Sequence, residues 1–121
     1  MAQTFIATGR VVLAGNGTGT FVYSVGSKER FEIKRIIQTA TGAFSITGIR
    51  DAHGNNYDNS SPTNPILSSW LASGANPNNN LGDFPEPIVI QGGGTIYIDL
   101  LDTSTAGNTV DIGLIGTRHY D

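Results

Sequence analysis

The chain has 121 residues, a formal net charge of -3 and no cysteine. That length fits one domain whose core buries about two thirds of the unfolded surface. The lack of thiols excludes disulfides, thiolate catalysis and thiolate metal ligation, and the acidic balance argues against a nucleic-acid surface.

Charged residues make up 14% of the chain, against roughly 25% in ordinary soluble domains. The surface must therefore be polar through Thr, Asn, Ser and Gly, a composition that allows close contact with neighbours without desolvating charge. No apolar stretch approaches the about 20 residues that cross a bilayer, so no membrane is expected as a partner. The first residues lack the basic and apolar regions of a signal peptide, which predicts folding in a cytoplasm.

From Thr4 to Ala14 the chain alternates, with Phe5, Ala7, Gly9, Val11 and Leu13 on one face and Thr4, Thr8 and Arg10 on the other. That period predicts a long strand with a bend at Gly9. Asn16 and Gly17 suit a tight turn, after which Phe21, Tyr23 and Val25 face the core of a returning strand. Arg30 to Thr39 carries Phe31, Ile33, Ile36 and Ile37, whose apolar side chains change face. Their β-branched content favours a strand with a bulge near Lys34 and Arg35 over a helix. The nearby Lys28, Arg30, Lys34 and Arg35 share their segment with Glu29 and Glu32, which reads as a solvated strand face. After a turn at Thr41 and Gly42, Phe44, Ile46 and Gly48 alternate with Ser45, Thr47 and Ile49, and the strand ends at Arg50 and Asp51.

Residues 52–87 lose this periodicity. They hold all five prolines and the single Trp, the composition of a long irregular insertion that serves as an interaction arm. Within it Ile66, Leu67, Trp70 and Leu71 have the spacing of one or two helical turns, with Pro65 at the start. Pro85 and Pro87 lead into a short strand, Ile88 to Ile90, and Gly92, Gly93 and Gly94 turn the chain. Ile96, Ile98 and Leu100, then Val110, Ile112 and Leu114, form two further period-2 runs, and Thr103 to Asn108 joins them as a hairpin. About seven strands and no helix long enough for a crossover predict an all-β fold. The expected architecture is an antiparallel two-sheet β-sandwich, jelly-roll-like, spanning 1–121 as one domain.

The residues suggest little chemistry. Asp51, His53, Asn55, Asn56 and Asp58 could offer oxygens to Ca²⁺, but their spacing is not that of an EF-hand and these are ordinary turn formers, so no metal is expected. His53 and His119 have no nucleophile-elbow sequence near them, and Gly92 to Gly94 lacks the lysine of a phosphate loop. Asp99 and Asp111 fall near one another in one register of the predicted hairpin, where they would repel unless compensated. Tyr57, Trp70, Phe84 and Tyr97 could stack on sugar rings, or anchor an interface instead. These observations predict no enzyme and no cofactor.

Three segments, FEIKRIIQTATGAFSITGIRDAHGNNYDN, GDFPEPIVIQGGGTIYIDLLDTS and AGNTVDIGLIGTRHY, resemble a family of small tailed-bacteriophage virion proteins. The shared elements are Ile49-Arg50-Asp51, Pro85-Glu86-Pro87, Asn108-Thr109-Val110 and Ile115-Gly116-Thr117-Arg118. The resemblance covers about two thirds of the chain, from Phe31 onward. It implies a capsid decoration, or cement, protein that stabilises a phage head by bridging capsomers. Such a protein is made in the bacterial host cytoplasm, binds the major capsid protein on the capsid exterior and sits there as a homotrimer. Arg50, Tyr57, Ile66, Trp70, Leu71, Phe84 and Arg118 are the expected interface residues. The competing reading is a carbohydrate- or receptor-binding β-sandwich module of a phage tail or fibre.

Overall fold

In the computed structural model, residues 2–70, 84 and 86–120 are described. Among them the chain forms eight strands: β1 (Ala2–Leu13), β2 (Thr18–Ser24), β3 (Glu29–Ala40), β4 (Phe44–Asp51), β5 (Ile66–Leu67), β6 (Ile88–Ile90), β7 (Thr95–Asp102) and β8 (Asn108–Tyr120). They make two four-stranded sheets, in the orders β1-β8-β3-β6 and β2-β7-β4-β5. The first strand pairs with the eighth, the second with the seventh, the third with the sixth and the fourth with the fifth, all antiparallel. A long hairpin rolled over itself has this pairing, so the sandwich is a jelly roll.

Alternation along the strands supplies the core. Leu13, Phe21, Phe31, Ile33, Phe44, Ile46, Ile96, Ile98, Leu100, Ile112 and Leu114 are buried as the sequence predicts, and Phe5, Val11 and Tyr23 pack against them. Phe5, Tyr23 and Phe31 form a ring cluster with centroids 5.5 to 6.1 Å apart. The β3–β8 register shifts between Ile33 and Arg35, the predicted bulge, and this brings Ile36 into the core. A second shift, between Ile46 and Gly48 on β4, turns Ile49 inward, where simple alternation had placed it on the other face.

Two readings are corrected. The runs 95–102 and 108–120 are not a hairpin: β7 and β8 lie in opposite sheets, as do β1 and β2. Period-2 alternation is the same for a hairpin and for an arch that carries the chain across the core, so it does not distinguish them. The helix expected at Ile66 to Leu71 is likewise replaced: Ile66–Leu67 form β5 against β4, and Ser68–Trp70 make a single 3-10 turn. Edge pairing with Ser45 and Ile46 outweighs the helical spacing of four side chains.

The arches at one end are tied by two buried polar residues. Asp102 accepts hydrogen bonds from the Asn16 N–H (3.0 Å), the Ser104 N–H (2.9 Å), the Ser104 hydroxyl (2.6 Å) and the Asn108 amide (3.3 Å). Asn108 donates to the carbonyls of Gly42 (2.8 Å) and Ala43 (3.0 Å) and accepts from Thr41 and Gly42. The pair thus joins the β1–β2, β3–β4 and β7–β8 turns, in which Asn16, Thr105 and Gly107 adopt positive φ. The Ser104 hydroxyl outweighs the opposing effect of burial and, with the N–H groups of Ser104 and Asn16, holds the Asp102 carboxyl down at about 2.

Candidate functional site

Three of the expected interface residues meet along the side of the sandwich where the short strands β5 and β6 lie. Tyr57, Ile66 and Phe84 line a cleft of about 470 Å³ with Ile49, Asp58, Glu86, Pro87 and Ile88. β4 builds one wall: the Tyr57 N–H donates to the Ile49 carbonyl (2.9 Å), and the Ile49 N–H donates to Asp58 (3.0 Å). Asp58 also accepts from the Ser60 hydroxyl. β3 supports the other wall, where the Phe84 N–H donates to the Lys34 carbonyl (2.9 Å). Ile66 and Phe84 pack on the core from this cleft. The segment 52–70 is therefore held to the strands at Ala52, Tyr57, Asp58 and Ile66–Ser68, whereas Leu71 lies outside the described residues.

Beside the cleft, Asp51 organises the loop that follows β4. One carboxylate oxygen accepts from the N–H groups of His53 (2.9 Å) and Asn55 (3.0 Å). The other accepts from the Asn55 amide (2.9 Å) and the Tyr57 hydroxyl (2.6 Å). Burial disfavours the charge on Asp51, but the hydrogen bonds from Tyr57, Asn55 and His53 outweigh it and hold the carboxyl well below the carboxylate range. Burial, and then the Asp51 carboxylate, push the Tyr57 phenol up to about 12. Asp51 and Asp58 thus spend their oxygens on separate protein donors. Among the described residues no group of three or more His, Asp or Glu is placed to hold a metal.

The remaining expected residues are dispersed. Arg50 lies on the outer face of the β2-β7-β4-β5 sheet, where its guanidinium makes two hydrogen bonds to Asp99 (3.0 and 3.2 Å) and covers the Tyr97 ring at 4.6 Å. Asp99 also accepts from Thr20 (2.9 Å). Asp111 belongs to the other sheet and binds Arg10 at 2.8 and 3.2 Å, so the two aspartates are not neighbours and each has its own arginine. Arg118 caps the aromatic end of the core, 4.0 Å over Phe5 and 4.9 Å from the Tyr120 ring centre. Trp70 is 46% exposed on the 3-10 turn. Among the described aromatics Tyr97 lies under Arg50, the Tyr57 hydroxyl is bound to Asp51, and Phe5, Tyr23 and Phe31 turn inward, while Trp70 and Tyr120 stay exposed.

Sequence reasoning missed two features. The Asp102–Asn108 tie had a local signal, the Asp-x-Ser step before Gly107-Asn108, which is ordinary turn chemistry. The pairing of His119 Nε2 with Glu32 Oε1 at 3.1 Å had none, because it depends on the β3–β8 register. Comparison with family models, with curated proteins and with solved structures finds no match for this chain.

Proposed function

We propose that this chain is a structural virion protein that decorates a phage head, bridging capsomers on the capsid exterior through contacts with the major capsid protein. The observation that carries the reading is the character of the two outer sheet faces. Ile6, Val12 and Val89 are exposed on one sheet and Val22 and Leu67 on the other, with Trp70 following Leu67. Two of the arginines set among them, Arg10 and Arg50, are already neutralised within the chain by Asp111 and Asp99. Such faces can be covered by neighbours at little cost in charge desolvation, which suits the repeated contacts of a shell. The motif resemblance points the same way. Each of its elements has a structural role here: Asp51 orders a loop, Pro87 precedes β6, Asn108 ties three turns and Gly116 lies against β3.

The test is to mix the purified protein with phage heads assembled from a major capsid protein and lacking decoration. Saturable co-sedimentation and heads more resistant to heat or osmotic shock are expected. Heads that neither bind the protein nor gain resistance would overturn the proposal.

A further inference from the structure

The four edges of the sandwich are not equally protected. β5 has two residues and follows Pro65, and β6 has three and follows Pro87, so both edges are short and blunted. β1 is different. It runs for 12 residues without a proline, and among the described strands it pairs only with β8, which leaves its outer backbone edge open. Arg10 is its single charged residue, and that guanidinium is turned along the sheet face to Asp111 and away from the edge. β2, the edge of the other sheet on the same side, has no charged residue but is shorter, at seven residues. Long, flat, uncharged edges invite strand addition unless they are guarded.

We infer that the open edge of β1 pairs antiparallel with β1 of a second copy, making one sheet continuous across a two-fold axis. The strand suits itself as a partner. In a two-fold pairing, outward residues face outward residues. Registers centred on Ile6, Ala7 or Thr8 therefore set Arg10 opposite Ala2, Thr4 or Ile6 of the other copy, and no like charges meet. Ile6 is 53% exposed and lies directly opposite Ile115 on β8, with Ile37 on the next row beside Gly113. Pairing brings the Ile6–Ile115 pairs of the two copies together near the seam. Val12, 73% exposed, lies further along the same face.

Size sets the expected strength. The nine to eleven residues paired in these registers, at about 3.4 Å each, give a seam about 30–37 Å long, and across a sheet about 10 Å thick it covers roughly 300–370 Å² per partner, less than half of a standard interface. The pairing is thus a weak one that appears with concentration. It is a two-fold contact, distinct from any threefold association, and it does not rest on the virion reading.

The test uses the intact chain and an Ile6→Lys, Thr8→Lys variant, which puts like charges across the seam on an exposed face and leaves the β1–β8 ladder intact. Mass is followed by light scattering from about 1 µM to about 1 mM. Backbone amide exchange is measured at both limits, and circular dichroism confirms that the variant folds. The mass of the unaltered chain should rise with concentration while exchange along β1 slows. The variant should need at least about tenfold more protein for the same rise. Because the chain has no cysteine, a spin label on a Thr8→Cys variant reports the seam directly, through an intermolecular distance within about 20 Å in a two-strand pairing. A mass that stays flat, a rise equal in both proteins, or slowing confined to other strands would overturn the inference.

Discussion

Gly116 on β8 offers a sharp test of how the two longest strands are fitted together. It lies opposite Ile33, where the register shifts. A Cβ at this position would stand 1.8 Å from the Glu32 carbonyl oxygen, 2.8 Å from its carbon and 3.0 Å from the Ile33 Cα. Carbon and oxygen not otherwise bonded come no nearer than about 3.3 Å, so Gly116→Ala forces the backbones apart by roughly 1.5 Å. Ladder bonds near 2.9 Å would lengthen past any useful hydrogen bond on either side of the clash. Two buried groups left unpaired at about 1 kcal/mol each, the low end for such groups, with about 1–3 kcal/mol of overpacking strain, give a loss of roughly 3–5 kcal/mol. For a domain of this length the melting temperature should fall by about 10–20 °C. Gly113→Ala is the control, since its Cβ would meet only the Ile37 side chain, at 2.9 and 3.2 Å; it should cost under about 1 kcal/mol. Thermal unfolding followed by circular dichroism reads both variants. A Gly116→Ala protein melting within about 3 °C of the unaltered chain would refute the reasoning.

Three further outcomes are expected. The Asp102 carboxyl is held at about 2 in the folded state against an ordinary 3.8, so its contribution is present above pH 3.8 and is lost as pH falls toward 2; urea midpoints should drop across that window, and Asp102→Asn should lower the neutral midpoint and flatten part of the drop. Tyr57 is shifted the other way, to about 12 from 10, so its contribution is intact below pH 10 and is lost as pH rises toward 12; phenolate absorbance should show a late-ionising tyrosine that Tyr57→Phe removes. Trp70→Ala should change the melting temperature by less than about 3 °C, because the ring is half exposed; a loss near the about 3–5 kcal/mol of a buried aromatic would place it in the core instead.

The fold was legible where a side chain's face follows from alternation alone. Phe31, Ile33, Ile96, Ile98 and Leu114 could be assigned to the core before any pairing was known, and the face change between Ile33 and Ile36 announced the bulge on β3. Pairing was not legible, because β7 and β8 read identically as hairpin partners or as strands facing each other across the core. What decides is the turn between them. Ser104 folds back on Asp102, and positive φ at Thr105 and Gly107 carries the chain over to the opposite sheet. β5 was missed because two residues are too few to show a period. The candidate site was legible only in part: Tyr57, Ile66 and Phe84 do share a cleft, yet nothing in their spacing indicated that Arg50 is committed to Asp99 or that Arg118 caps the Phe5 ring.

The arrangement of connections also bears on where this fold can vary. Apart from the step from β4 to β5, each connection passes from one sheet to the other, so a turn that fails separates two sheets and not merely two neighbouring strands. At one end three of these turns share the hydrogen bonds of Asp102 and Asn108, and a substitution in any one of them disturbs the other two. At the opposite end, among the described residues, the Asp51 side-chain oxygens bind His53, Asn55 and Tyr57 of its own loop. Changes in that loop stay local, and loops held to a rigid scaffold by such local bonds are where binding surfaces can diverge without loss of fold. The cleft at Tyr57, Ile66 and Phe84 adjoins that loop, so its lining can change while the two sheets keep their register.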